Sequence, residues 1–319
     1  MIYLEVTGRC GNQLFQYAFA RKLSLVNDNQ PIHINFYNVE RWRLKTKDDS
    51  FSDQLRFLNT KEYTSSLDKS NWLNESASKR QISIYNLYQL IRKIAYRTRC
   101  KSLYRFGLHL LNRSGIYRED ESSHNIIART KESDLFAKGY FENAHYFDDI
   151  RDILLEEFTP KFPIQEKNKS LYDIMENRES VCVSFRRWSE VSEEVSKERD
   201  ICNKAYYEKA IEKMHQIYPD AVFIVFSNDV EWVKNNFEFK YETIFEDGTD
   251  EVWEKLRLMY SCKHFIMATS TFTWWAQYLS RNPQKVVISP DRWYNDVNKE
   301  CYLIQEDWIK KGENYNEMS

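Results

Sequence analysis

Two adjacent arginines, Arg186 and Arg187, end the apolar run Val181-Cys-Val-Ser-Phe185. The run reads as a buried strand, so the pair stands at its carboxyl end, where open α/β sheets bind ligands. An arginine there suits phosphate, because its planar fork of donors matches phosphate oxygens and its charge is permanent. A surface ion pair is the plainer reading of the same two residues. Two more apolar runs end in polar residues. Phe223-Ile-Val-Phe226 leads into Ser227-Asn-Asp229, and His264-Phe-Ile-Met267 leads, after Ala268, into Thr269-Ser-Thr271 and then Phe272. Three strand ends thus offer arginine for a diphosphate, a carboxylate for a ribose or base edge, and hydroxyls at a helix start for phosphate. Ser227, Asp229 and Thr271 are equally good helix N-caps, and one helix start can cap and ligate at once.

The elements that must hold these residues follow from periodicity. After a proline-bearing linker at 158–165, strands are expected at 181–185, 221–226, 264–267 and 285–288. Helices are expected at 205–218, 230–237, 250–262, 272–280 and 306–311, and Glu190–Asp200 reads as a glutamate-rich loop. Strands alternating with helices predict a parallel sheet covered on both faces. The N-terminal half opens in the same way: strand Ile2–Val6, the glycine turn Gly8-Arg-Cys-Gly-Asn-Gln13, helix Leu14–Val26 and strand Pro31–Phe36. The glycines let backbone N–H groups approach a ligand, although the spacing is not GxGxxG and a tight βα turn explains it as well. We expect two domains, 1–160 and 161–319, with a helical, basic insertion over about 40–135. In that insertion Tyr85–Leu111 reads as one helix, with Arg92, Lys93, Arg97, Arg99, Lys101 and Arg105 among apolar residues. It is either a solvated helix face or a surface for an anionic membrane.

Composition excludes several classes. The net charge of -2 over 319 residues gives no global basic field for nucleic acid. The six cysteines are scattered with no CxxC, which fits a reducing compartment and no zinc framework. No signal peptide or apolar membrane span is expected, so a cytoplasmic location follows. There is no Walker A lysine, no HExxH and no DxD at a strand end, and no metal or other cofactor is expected.

The chain resembles the α-1,2-fucosyltransferases, which use GDP-fucose. The likeness runs through Gly8–Arg21, Gly139-Tyr-Phe141, Tyr146-Phe147, Tyr206-Tyr207, Lys209-Ala210 and Val225-Phe-Ser-Asn-Asp229. It continues through Cys262-Lys-His264, Ser270-Thr-Phe-Thr-Trp-Trp275 and Ser289-Pro-Asp-Arg-Trp293. Residues about 40–135 contribute little. The resemblance implies an α/β, GT-B-like fold of two Rossmann-like domains facing each other across a cleft. It also implies inverting, metal-independent transfer and GDP held mainly by the C-terminal domain. One departure stands out. The family usually reads His-x-Arg-Arg-x-Asp, and this chain reads Ser184-Phe-Arg-Arg-Trp-Ser189.

The resemblance implies roles residue by residue. Arg186 would stabilise the leaving diphosphate, supported by Arg187. Arg9, Gly11 and Asn12 would approach the donor from the first domain. Asp229 would read the ribose or guanine, with Ser227 beside it, and Ser270, Thr271 and Phe272 would meet the phosphate. Glu190, Glu193 and Glu194 follow the arginines, and Glu194 is the chosen base. The expected partners are a GDP-sugar and a glycan or lipid-linked oligosaccharide, with peripheral membrane contact through 92–105. A different GDP-sugar, or nucleotide-sugar binding without catalysis, would fit the same residues.

Overall fold

The computed structural model describes residues 1–69, 72–118, 125–189 and 191–310. The chain divides into two compact units, Met1–Glu157 and Phe158–Ser319.

The first unit contains β1 (Ile2–Glu5), α1 (Cys10–Val26), β2 (Ile32–Asn35), α2 (Tyr37–Thr46), β3 (Tyr63–Ser66), α3 (Trp72–Ser76), α4 (Lys79–Thr98), α5 (Lys101–Arg113), β4 (Ile116–Arg118), β5 (Leu135–Lys138) and α6 (Arg151–Glu157). Its five strands run in the order β3-β2-β1-β5-β4, and every pairing is parallel. β1 is central. Its Ile2 and Leu4 are fully buried, while Tyr3 on the other face stacks on Phe136 at 5.3 Å. That second face packs with Tyr88 of α4 and Leu108 and Leu111 of α5.

The expected insertion at 40–135 carries α2–α5 and the basic residues, and it also supplies β3 and β4 to the sheet. The single helix expected at 85–111 is two helices. Ser78 and Gln81 form a capping box at the start of α4, and Arg99, at φ 53°, ends it in the left-handed region. Gly107 lets the two helices approach closely, since a Cβ there would lie 2.8 Å from Ile91 Cγ2. Helix α1 begins at Cys10, not Leu14, so Gly11, Asn12 and Gln13 belong to its first turn.

The second unit contains α7 (Lys169–Asn177), β6 (Ser180–Phe185), α8 (Glu193–Arg199), α9 (Lys204–Ile217), β7 (Val222–Ser227), α10 (Val230–Asn236), β8 (Thr243–Phe245), α11 (Val252–Ser261), β9 (His264–Ile266), α12 (Thr271–Leu279), β10 (Val287–Ser289) and β11 (Ile309–Lys310). The sheet order is β11-β10-β9-β6-β7-β8, all parallel. The chain starts at the centre with β6, builds outward through β7 and β8, then crosses to β9 on the other side of β6. The strand order therefore reverses between β6 and β9. That is the place where a doubly wound sheet opens a ligand crevice outside its carboxyl ends. β6 and β7 are buried along their whole length, as their unbroken apolar runs require.

Two expectations fail in this unit. Glu193–Arg199 is a helix and not a loop, capped by Ser192, whose hydroxyl accepts the Val195 N–H. The segment expected as a terminal helix instead pairs as β11 with β10, in the register Ile288↔Ile309; Lys311, its expected end, lies outside the described residues. No helix among the described residues is long and apolar enough to cross a membrane.

Candidate functional site

Arg186 leaves the end of β6, and Ser270 and Thr271 follow the end of β9, so the two groups emerge from the strands that flank the reversal point. The register places Val183 against Ile266, which brings the two departures level. Several buried contacts hold both strand ends. The Ser184 and Thr273 hydroxyls are 2.5 Å apart, tying β6 to α12. Two successive tyrosines of α9 divide the rest of the task. Tyr207 donates from its hydroxyl to the Ser184 carbonyl at 3.0 Å, and Tyr206 donates to the Met267 carbonyl at 2.7 Å. Burial pushes the Tyr207 hydroxyl well above its ordinary pKa, so it stays a donor. This bracing was not legible in the sequence, which showed Tyr206-Tyr207 only as part of a motif.

Helix α12 begins at Thr271, with Ser270 capping it by accepting the Phe272 N–H at 3.3 Å. Thr269, just before the cap, donates to the Arg199 carbonyl at 2.9 Å and so fixes the end of α8. Trp274 donates from its indole to the Leu303 carbonyl at 2.8 Å, and Trp275 packs edge-on against Phe158. The aromatic motif therefore clamps the helix, while Ser270, Thr271 and Phe272 remain half-buried at its start. First-turn N–H groups with an aligned helix dipole favour an anion there.

The two arginines behave differently. Arg187 turns to β7: its guanidinium donates to Asp229 Oδ2 at 3.2 Å and lies 4.1 Å over the Trp232 ring. Its backbone exchanges two hydrogen bonds with the Asn228 side chain, at 2.9 and 3.1 Å. Asp229 also caps α10 by accepting the Trp232 N–H at 3.1 Å, and Ser227 accepts the Asp229 N–H at 3.0 Å. Arg187, Ser227 and Asp229 are thus brought together, and the two charged side chains face each other. Arg186 instead lies 5.0 Å over the Trp188 ring, half-buried, on the strand that borders β9.

Glu194 is exposed in the first turn of α8, and its carboxylate makes no ion pair among the described residues. Glu193 pairs with Lys197 at 2.6 Å, and Glu190 lies outside the described residues. The far end of α8 is anchored, since Asn295 donates to the Lys197 and Glu198 carbonyls at 2.6 and 2.8 Å.

In the first unit the glycine turn is built around amides. Gln16 closes on Thr7 with two hydrogen bonds, at 2.9 and 3.1 Å. Gln13 donates to the Gly8 and Ser52 carbonyls and accepts the Gln54 N–H. Both are fully buried, and these bonds satisfy their amides there. Arg9 donates to Asp48 at 2.7 Å and to Ser50 at 2.8 Å, and stacks 4.4 Å over Phe51. Burial works to raise the Asp48 carboxyl, but the bonds from Ser50 and Arg9 outweigh it and hold the group below its usual value. Asn12 lies against Gly8, and Gly11 is buried in the first turn of α1. Burial also lifts the Cys10 thiol to about 12, which makes it an inert packing residue.

Glu246, Asp247 and Asp250 gather within 4.8 Å in the β8–α11 loop. Lysines already serve this cluster: Lys255 lies 3.2 Å from Glu246, and Lys167 lies 2.9 Å from Asp250 and 3.4 Å from Asp247.

A family model, glycosyl transferase family 11, matches residues 1–315. The chain belongs to that family. It is therefore a glycosyltransferase, as the distributed motifs implied. It is similar to the O-antigen biosynthesis glycosyltransferase WbnK of Escherichia coli, 29% identical over 329 residues, spanning 97% of this chain and 99% of that protein. It is 31% identical over 179 residues to an alpha-1,2-colitosyltransferase of Escherichia coli, covering 54% of this chain and 61% of that one. The galactoside alpha-(1,2)-fucosyltransferase 1 of Leontopithecus chrysomelas is 28% identical over 178 residues, about half of each chain.

Proposed function

We propose that this family 11 enzyme transfers L-fucose from GDP-fucose to a hydroxyl of a glycan acceptor, forming an α-1,2 linkage with inversion, in the assembly of a surface polysaccharide. The observation that carries the reading is Arg186 at the end of β6, the strand that borders β9 at the reversal point, with β9 leading into α12. A diphosphate there would meet a permanent cation and a helix N-terminus together. The acceptor oxygen attacks C1 of the sugar as the bond from C1 to the β-phosphate oxygen breaks. The electron pair leaves with GDP, and the acceptor proton passes to a base, for which Glu194 is the candidate. Negative charge grows on the leaving phosphate, and Arg186 would stabilise it. Ser270, Thr271 and Phe272 would hold phosphate at the start of α12. Ser227 and Asp229 would face the ribose or base, with Arg187 orienting Asp229. In the first unit, Gly11 and Asn12 would approach the sugar donor at the start of α1, and Arg9 braces that turn through Asp48.

No metal step is needed, because a fixed guanidinium does the work of a cation at the diphosphate. Transfer should therefore survive EDTA, and strong dependence on an added divalent ion would sink this part of the reading. A different GDP-linked sugar is the second reading, favoured by the likeness to a colitosyltransferase and by Ser184 and Ser189 in the arginine motif. Thermal-shift measurements across GDP-sugars, followed by assay of GDP release with and without a galactoside acceptor, separate the two. Stabilisation by GDP-fucose with acceptor-dependent GDP release supports the first. Stabilisation by another GDP-sugar alone supports the second, and indifference to every GDP-sugar overturns both.

A further inference from the structure

The helical hairpin α4–α5 spans residues 79–113 and contains nine lysines and arginines and no aspartate or glutamate. The whole chain carries -2, so everything outside the hairpin sums to -2 - 9 = -11. Such segregation in one hairpin is not what a mixed, solvated surface needs.

The hairpin also exposes large apolar side chains. The inner face of α4 presents Ile84, Tyr88, Ile91 and Ala95, and it packs on the sheet and α5. A second stripe points outward at helical spacing: Leu87, Leu90 and Ile94 are 47%, 56% and 44% exposed. Lys93 and Arg97 flank that stripe one helical step away, and Arg99 follows where the helix ends. None of these three cations is ion-paired among the described residues. On α5, Phe106 is 55% exposed beside Arg105. A helix that buries one apolar face and still shows another, edged with unneutralised cations, has two surfaces to satisfy.

Helix α2 is the contrast. It too exposes Trp42 and Leu44, with Arg41 and Lys45 beside them, but it carries its own acid, Glu40, which pairs with Arg43 at 2.6 Å, and Asp48 and Asp49 follow directly. Exposed apolar residues alone do not single out the hairpin. Their combination with nine cations in 35 residues that hold no aspartate or glutamate does.

We propose that the outer face of α4–α5 docks the enzyme on an anionic lipid bilayer. Leu87, Leu90 and Ile94 enter the headgroup–acyl boundary, and Lys93, Arg97 and Arg99 pair with lipid phosphates. Cation and apolar side chain at the same depth are what such an interface rewards. An acidic protein surface would take the charges but leave the apolar stripe wet, and a second copy would set like charge against like. The proposal goes beyond the transfer reaction and does not depend on which sugar is moved.

The test is co-sedimentation of the full chain with phosphatidylcholine vesicles, with and without phosphatidylglycerol. Binding should need the anionic lipid, and it should weaken as salt rises from about 0.1 to about 1 M, which shortens the screening length from ~10 to ~3 Å. Each lost cation should weaken binding roughly five-fold, so the K93Q/R97Q/R99Q variant should lose on the order of 100-fold. L90S/I94S should weaken binding at low and high salt alike. Both variants should keep wild-type melting temperature and GDP release with a soluble acceptor, because none of these residues belongs to the site. Equal pelleting with neutral vesicles overturns the proposal, as does undiminished binding by either variant. So does concentration-dependent dimerisation that L90S/I94S abolishes, which would assign the stripe to a second copy.

Discussion

The hydroxyls of Ser184 and Thr273 face each other at 2.5 Å, both buried, joining the strand that carries Arg186 to the helix that Ser270 caps. By the resemblance to the α-1,2-fucosyltransferases, Ser184 stands where a histidine is expected. The contact lets the arginine strand and the α12 start be held by two small neutral groups, with no titratable group between them. Removing one hydroxyl strands its partner in a dry site, at a cost of roughly 1–3 kcal/mol, whereas removing both leaves nothing unsatisfied. Ser184→Ala and Thr273→Val should each destabilise the protein, and the double variant should cost clearly less than the two together. Urea unfolding of all four proteins closes the cycle, and strict additivity would show that the two groups do not act as a pair. Because they act through Arg186, the single variants should lower kcat more than they raise the donor KM, and Thr273→Ser should restore it.

Arg186 and Arg187 are adjacent in sequence but belong to different parts of the structure. Arg186→Ala should lower kcat by about 10²–10³-fold, the scale for losing one preorganised donor to a developing anion, with the melting temperature unchanged. Arg187→Ala should behave otherwise. Its partner Asp229 is partly exposed, so the ion pair contributes no more than about 1 kcal/mol. Its loss should loosen the β7–α10 corner and raise the donor KM with a smaller effect on kcat. Near-normal turnover by Arg186→Ala would remove the central assignment, and equal effects from both arginines would deny their division of labour.

The arginine strand and its neighbours were legible because buried parallel strands write themselves as unbroken apolar runs, as in Val222–Ser227. Edge strands do not. β3 is Tyr-Thr-Ser-Ser, half-exposed, and its polar composition reads as a loop. β11 is two residues in a stretch of acids and lysines that suggests helix, and only pairing with Ser289 and Ile288 makes it a strand. α8 failed in the other direction. Glu-Glu-Val-Ser-Lys-Glu-Arg has no apolar stripe, and its helix rests on the Ser192 cap and on anchoring by Asn295, a contact nearly a hundred residues away. Within the site, residue types located the strand ends correctly. The sequence could not say that Arg187 would spend its charge on Asp229 or that Arg9 would spend its own on Asp48, because partner choice is decided by tertiary geometry.

Gly8 is required by two independent constraints. Its φ of +81° lies in the left-handed region, and a Cβ at this position would meet Asn12 Nδ2 at 2.3 Å. Gly8→Ala should therefore cost about 1–2 kcal/mol from backbone strain, and it should push the Asn12 amide away from the start of α1. Adding Asn12→Ala should relieve the collision but not the strain, so stability should recover only in part. Measured unfolding free energies decide this, and wild-type stability in the Gly8→Ala protein would contradict both constraints.

His264, the first residue of β9, supplies a pH response. Its Nδ1 accepts the Val286 N–H at 3.0 Å, so the ring proton must sit on Nε2, which lies 2.9 Å from Glu179 Oε2. The neutral ring therefore satisfies both neighbours, and a second proton would break the bond to Val286. Burial pushes the group below its ordinary value near 6.5, against the opposing pull of Glu179. The sign follows from that direction. The unfolded chain takes up a proton near 6.5 while the folded protein does not, so stability is full above that pH. It falls as the pH drops through 6.5 and levels off only below the lowered folded value. Unfolding free energy measured from about pH 8 to about pH 5 should show this loss in the wild type. In His264→Gln the same stretch of the curve should be flatter, even if the variant is less stable throughout. Parallel curves for the two proteins would mean that His264 does not titrate differently on folding.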